Sequence, residues 1–184
     1  MSTNKPILEP QTQAFIDALH AQGGKPIYEL SYSSARKVLE DAQAGPVTRL
    51  PADVEDKTLP VGPTGETSVR IYRPTGAGGL LPVVMYFHGG GWVLGSKNTH
   101  DRLLRDLVNA TQAAFVFVNY TPSPEAQFPV PIEQDYAAAG NSASILTGSR
   151  SLVTASAATW SPWLRNSPRN AKDQRSATRF SSTR

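Results

Sequence analysis

The chain has 184 residues, 18 Lys and Arg against 15 Asp and Glu, and no cysteine. This length allows one domain with a real core; the lack of cysteine excludes a disulfide framework and a thiolate metal site. No apolar run approaches the roughly 20 residues of a membrane-spanning helix. Charge is unevenly spread: through Gly140 there are 11 Lys and Arg against 14 Asp and Glu, a net of -3, and from Asn141 onward 7 against the single Asp173, a net of +6. The start, MSTNKPILEPQTQ, has neither a charged end followed by an apolar stretch nor a small-residue cleavage site. It does not read as a signal peptide, which leaves a cytoplasmic location as the default.

From Pro10 to Ala21 the residues Ala14, Phe15, Ala18 and Leu19 fall at helical spacing, and Tyr32 to Ala44 repeats the pattern with Ala35, Val38 and Leu39. Two amphipathic helices are expected, joined through Gly23-Gly24. Val47 to Val61 and Ser68 to Tyr72 read as extended segments around the turn GPTGE, hence an antiparallel pair. LPVVMYFHG is the continuous apolar run of a strand buried on both faces. Thr99 to Thr111 places Leu103, Leu104, Leu107 and Val108 on one helical face with Asp101, Arg102, Arg105 and Asp106 opposite, and AAFVFVNY follows as a second buried strand. Strand, crossover helix, strand implies a parallel sheet. Pro129 to Ala139 opens another helix, with Pro131 suited to a first turn.

Between the first buried strand and the crossover helix lies His88-Gly89-Gly90-Gly91-Trp92. Three glycines after a parallel strand let bare backbone N–H groups approach a ligand. Donors converging on one point stabilise an oxyanion, and losing one such donor costs about a hundredfold to a thousandfold in rate. The plainer alternative is a tight turn after a strand.

With its flanking residues this stretch resembles the HGGG signature of the α/β-hydrolase-fold esterases and lipases of the hormone-sensitive-lipase type, which include bacterial acetyl esterases. The run NYTPSPEAQFPVPIEQDYAA is similar to the family's second landmark, and the likeness extends from about Pro10 to Ala138. The resemblance implies an α/β fold, the N-terminal part of an α/β-hydrolase, mostly parallel with crossover helices. It implies cap helices over 1–45, a partial hydrolase core over 46–139, and an irregular basic tail over 140–184. It implies oxyanion donors at the N–H groups of Gly90 and Gly91, loop bracing by His88 and Gly89, and a substrate pocket lined by Trp92. The activity implied is hydrolysis of short-chain carboxylic esters through a serine acyl-enzyme, with no metal and no cofactor.

The family also needs a Ser in a G-x-S-x-G elbow, then an acid and a His, in that chain order. These are missing. Gly140-Asn141-Ser142-Ala143-Ser144 ends in Ser instead of Gly, follows no apolar strand and crowds the helix that opens near Pro131; His20 and His100 both precede the missing serine. From Ser149 to Arg184 no strand or helix period is visible. The genetic code supplies a reason. Val153 to Trp160, VTASAATW, can be written GTC ACA GCG TCG GCG GCA ACA TGG; with a G before it and read one nucleotide earlier, it becomes Gly-His-Ser-Val-Gly-Gly-Asn-Met. The same shift turns PRNAKDQ, Pro168 to Gln174, into Ala-Lys-Glu-Arg-Lys-Gly-Pro.

A frameshift between about Ala139 and Val153 is therefore expected, with a hydrolase domain cut off after its fourth strand, an unpaired parallel edge and no catalytic triad. The basic charge of the tail then signals no nucleic-acid partner, and the partner of the family is a small-molecule ester. The rival is a non-enzymatic binding protein whose basic tail contacts nucleic acid, though the tail has no aromatic platform for it.

Overall fold

The computed structural model describes residues 7–21 and 23–141, and the backbone of 152–156. Helix α1 spans Pro10–Ala21 and α2 spans Tyr32–Gln43, with one turn of 3-10 helix at Ile27–Glu29 between them. Proline opens α1 where an N–H has no intrahelical partner, and the Glu9 carboxylate accepts from the Thr12 N–H at 3.0 Å. Ser31 caps α2 by accepting from the Ser34 N–H at 3.2 Å. α1 buries none of its residues and α2 buries Ala35 alone.

Strand β1, Asp53–Leu59, pairs antiparallel with β2, Thr67–Arg73, from Asp53↔Arg73 to Leu59↔Thr67. β1 is shorter than the extended run expected from Val47, and Pro51, which has no N–H to give a ladder, lies in the excluded part. Gly62 in the turn has φ 96°, and a Cβ there would stand 2.8 Å from Thr67 Oγ1, so the turn needs glycine.

Strand β3 is Val83–Phe87, α3 is Asp101–Thr111 and β4 is Ala114–Asn119; β3 and β4 are parallel, joined through α3. Helix α4, Val130–Gly140, starts with Pro131 in its first turn as expected. β4 also pairs antiparallel with β2. The fold is α/β, and the sheet is mixed where a mostly parallel one was expected, because the β1-β2 hairpin joins β4 antiparallel while β4, β3 and the strand beyond it run parallel.

Two apolar clusters fill the faces of the sheet. Val69, Ile71, Met85, Phe87 and Val116 meet Ala138 of α4; Tyr72, Phe115 and Phe117 meet Leu104 and Val108 of α3. Each large side chain here contributes about 1.5–3 kcal/mol by leaving water. Every residue of Ala114–Val118 is buried, which is why its sequence runs apolar without alternation.

Three expectations are corrected. A fifth strand, β5, spans Leu152–Ser156 and pairs parallel with β3 from Val83↔Leu152 to Phe87↔Ser156, giving the order β1-β2-β4-β3-β5. The sheet is not cut off after four strands and the parallel edge of β3 is not unpaired. Val153 and Thr154 are β-branched, and the unpaired peptide groups of β3 supply the template that local sequence does not reveal. Asp101, expected on the polar face of α3, is buried; it accepts from Tyr72 Oη at 3.2 Å and Arg105 Nε at 2.9 Å, with Arg49 at 3.6 Å. These donors offset the cost of burying its charge. Leu103, expected on the apolar face, is 43% exposed. The decoy serines Ser142 and Ser144, and Ala157 to Trp160 and Pro168 to Gln174 of the frameshift reading, lie outside the described residues.

Candidate functional site

The glycine loop leaves β3 at its carboxyl end, and His88, the first residue beyond the strand, is buried. Its Nδ1 lies 2.8 Å from the Gly89 carbonyl oxygen, which only accepts, so this nitrogen carries the proton. The imidazole stacks on Tyr120 and Phe117 with centroids 4.2 and 5.0 Å apart and planes within 6°. Tyr120 Oη donates to the His88 carbonyl at 3.0 Å. Burial holds the His88 pKa down to about 4, against the bond to Gly89, which raises it, and with a smaller push down from His100. The ring is therefore neutral near pH 7, and its proton is spent on the loop.

The glycines are shaped by that packing. Gly95 has φ 94°, and a Cβ there would stand 2.6 Å from His88 Nδ1 and 2.9 Å from the Gly89 oxygen; at Gly90, with φ 130°, a Cβ would overlap the Leu94 carbonyl. Gly90 accepts from the N–H groups of Val93 and Leu94 at 3.2 and 2.9 Å, so the loop is a tight turn by its carbonyls. No hydrogen bond within the described residues uses the N–H of Gly90 or Gly91. Trp92 has φ 66°, its carbonyl accepts from the Ser123 N–H at 2.7 Å, and its indole packs against Tyr120.

Gly89 and Gly90 open onto a cleft of about 510 Å³ whose other walls include Leu39 and Gln43 of α2, Leu103 of α3 and His100 just before it. Arg36 holds α2 against this loop. Its Nε donates to the Val93 carbonyl at 2.8 Å, one terminal nitrogen to the Ser123 carbonyl at 2.7 Å, and both terminal nitrogens to Glu125 at 2.7 Å. Hydrogen bonds from Arg36 are the largest of the causes that bring Glu125 down to about 2, and the same pair raises Arg36. One guanidinium thus joins a helix, the glycine loop and the segment after β4, as a planar five-donor group can.

Asp135 is among the buried residues of α4. It is 1% exposed, and neither carboxylate oxygen has a hydrogen-bond partner among the described residues. Burial raises its pKa well above the usual carboxylate range. Tyr120 is raised too, first by its own burial and then by the charge of Asp135. The neighbouring Gln134 is satisfied, accepting from the Thr121 N–H at 2.8 Å and donating to Thr64 and Thr121 hydroxyls.

Sequence reasoning assigned His88, Gly89, Gly90, Gly91 and Trp92 to one loop, and they form one. It missed Arg36, Tyr120 and Asp135. For Asp135 a signal existed, because it lies four residues after Pro131 and three before Ala138, on the buried face of α4. The rings of His88 and His100 approach to 5.3 Å, but His100 Nδ1 is engaged with Thr99 and Ser96 at 2.9 and 3.2 Å.

Comparison with known proteins gives a consistent picture. A family model described as the alpha/beta hydrolase fold matches residues 84–151. The chain is 36% identical over 137 residues to an esterase of Fusarium pseudograminearum, covering 70% of this chain and 39% of the relative. It is 40% identical over 96 residues to the carboxylic ester hydrolase LipN of Mycobacterium tuberculosis, covering 52% of this chain and 25% of the relative. The crystal structure of a thermostable esterase from Pseudomonas putida superposes with a TM-score of 0.75, at 42% identity, over 84% of this chain and 50% of that one. The chain thus spans under two-fifths of these curated relatives and half of the solved structure.

Proposed function

Because the chain belongs to the α/β-hydrolase-fold esterases of the hormone-sensitive-lipase type, we propose that it carries the oxyanion portion of a carboxylic ester hydrolase acting on short-chain esters, and that the chain as it stands is catalytically silent. The observation that carries this reading is the pair of backbone N–H groups at Gly90 and Gly91, unused within the described residues and fixed by a loop that the neutral His88 ring braces. During acyl transfer the ester carbonyl oxygen gains a full negative charge as the nucleophile adds, and two preorganised donors favour that state over the ground state. The cleft beside Gly89 and Gly90 has room for a small acyl or alcohol group, with α1 and α2 acting as part of a cap; Trp92, expected to line the pocket, is not one of the residues that wall this cleft.

The nucleophile is the missing element. β5 runs beside β3, the place in the sheet from which a nucleophile turn would emerge at the same edge as the glycine loop. In the shifted frame the Gly-His-Ser-Val-Gly turn begins at the codon of Val153, inside β5, so in a restored chain the strand beside β3 comes from the preceding residues. A change of frame between about Ala139 and Val153 accounts for both the absent elbow and the basic tail, and leaves the tail's charge without a nucleic-acid role.

The test is chemical. The oxyanion site and binding alone are worth about a thousandfold to ten-thousandfold over water, far below a complete triad. The purified chain is expected to cleave p-nitrophenyl acetate feebly, without an acyl burst, and to resist a fluorophosphonate probe. The chain translated in the shifted frame from the coding DNA is expected to label at the elbow serine. Stoichiometric labelling of the present chain at any serine would overturn the silent-chain reading.

A further inference from the structure

His100 stands just before α3 and walls the same cleft as Gly89 and Gly90. Its Nδ1 meets two oxygens, the Thr99 hydroxyl at 2.9 Å and the Ser96 carbonyl at 3.2 Å. That hydroxyl donates its own proton to the Ser96 carbonyl at 3.0 Å. Both oxygens therefore accept from the ring, Nδ1 carries the proton, and Nε2 keeps a bare lone pair. No hydrogen bond among the described residues uses Nε2, and it is not one of their buried unpartnered atoms, so it is open to solvent. The other sides of the ring are taken: Tyr86, His88 and Phe117 pack on it with centroids 6.0, 5.3 and 5.6 Å away, and Ser96 and Thr99 hold Nδ1. The cleft is the direction left open.

General-base hydrolysis needs a free lone pair, a partner that fixes the base's tautomer, and donors where negative charge develops. Nε2 supplies the first, the Ser96 carbonyl the second, and the unused Gly90 N–H the third. We propose that His100 is a catalytic base of the present chain, taking a proton from a water that attacks an ester carbonyl held at the Gly90 N–H. The water oxygen bonds to the carbonyl carbon as its proton passes to Nε2, and the carbonyl oxygen becomes the oxyanion. On collapse the bond from that carbon to the alcohol oxygen breaks, the proton on Nε2 passes to the leaving oxygen, and the carboxylic acid departs. No acyl-enzyme forms and no serine takes part. The inference rests on the ester-hydrolase reading and gives the feeble turnover expected there its proton acceptor.

Burial lowers the His100 pKa, against the bond to Ser96, which raises it, so the ring is neutral near pH 7. The groups around it hold their charge states across the useful range. His88, held down to about 4, and Tyr86, raised by burial, are uncharged. Arg102 and Asp106 share the cleft wall and face each other at 3.8 Å; Asp101 is bonded to Tyr72 and Arg105, and Glu40 of α2 to the Ser96 hydroxyl.

The test follows p-nitrophenyl acetate cleavage by the 184-residue chain from about pH 5 to 8, with buffer catalysis subtracted, beside free imidazole at equal concentration. The chain is expected to be faster than free imidazole by about tenfold or more, and slower in heavy water than in light. Its rate is expected to climb to a plateau with the loss of one proton, with a midpoint below about 6.5 that matches the NMR titration of the His100 ring protons. His100→Gln and His100→Asn are expected to lower the plateau by about tenfold or more and to remove the step. The matched midpoints decide the assignment if neither variant folds. An unchanged plateau in either folded variant would overturn the base and leave the ester-hydrolase reading standing. An acetyl group trapped on His100, or equal rates in heavy and light water, would make the ring a nucleophile and overturn the proposal too. A chain no faster than free imidazole would overturn both, since the Gly90 donor would then favour no oxyanion.

Discussion

At position 95 glycine is required twice over, by a backbone φ of 94° and by the His88 ring that a Cβ would meet at 2.6 Å. At Gly91 φ is 62° and nothing lies within 4 Å of a Cβ. Gly95→Ala is therefore expected to destabilise by about 3 kcal/mol, through strain and displacement of the imidazole, and Gly91→Ala by about 1 to 2 kcal/mol, through the left-handed backbone alone. Urea unfolding of the two variants checks the difference.

His88 also makes an acid limb. Its folded pKa, about 4, lies below the ordinary histidine value of about 6.5, so the unfolded chain binds a proton that the folded chain refuses. The stability this confers is complete above about pH 6.5 and is lost as pH falls towards about 4, up to about 3 kcal/mol. Asp135 acts in the opposite direction: its raised pKa makes stability fall as pH rises above the usual carboxylate range. Midpoints measured from pH 4 to 8 are expected to lose their acid slope in His88→Phe, which keeps a stacking ring.

The glycine loop could be read from sequence because glycine, histidine and spacing are local. Arg36 could not, since its carboxylate partner lies 89 residues away and nothing near Arg36 distinguishes it from any charge on the polar face of a helix.

Among the elements, α2 is held mainly by that arginine, with Glu40 accepting from the Ser96 hydroxyl at 2.8 Å beside it. Its only buried residue is Ala35, and the bonds from Arg36 to Val93, Ser123 and Glu125 make most of its polar anchorage to the sheet domain. The pair is partly exposed, with side chains 26% and 51% accessible, so solvent screening limits Arg36→Ala to a loss of about 1 kcal/mol. The local effect is larger than the global one: amide exchange across Tyr32–Gln43 is expected to quicken while β3 and β4 stay protected. Arg36→Lys is expected not to restore protection, because an ammonium cannot make the planar fork. Unchanged exchange in α2 would show that other contacts hold it.

Helical periodicity placed α1 and α2 to within a residue but did not reveal what their apolar faces meet; Phe15 remains 56% exposed. Period reports the shape of a segment and is silent about its neighbour. The same gap hid β5, whose partner is set by an open edge 69 residues earlier in sequence, from Val83↔Leu152 to Phe87↔Ser156.

Across the whole molecule, the central pair β3 and β4 is flanked by β2 on one side and β5 on the other. Ending the chain at Gly140 would strip β5 and bare the parallel edge of β3, whose residues Val83, Met85 and Phe87 belong to the core. Such an edge templates pairing between molecules. The shortened chain is expected to bind more of a hydrophobic dye and to scatter light at lower concentration than the 184-residue chain. Equal solubility of the two would mean that β5 does not protect the edge.

The pairing of β5 with β3 has a consequence for inheritance. It is made by peptide groups, which every residue except proline can supply in full, so the edge admits strands by their backbone and scarcely inspects their identity. On the frameshift reading, a few β-branched residues written by accident at a workable distance from α4 complete the sheet. A gene altered in this way would then lose its chemistry in one event while its product kept enough order to escape prompt disposal. Selection on foldedness alone would not see the loss, and a lineage could carry the altered chain long enough for its remaining cleft to be tried on other ligands.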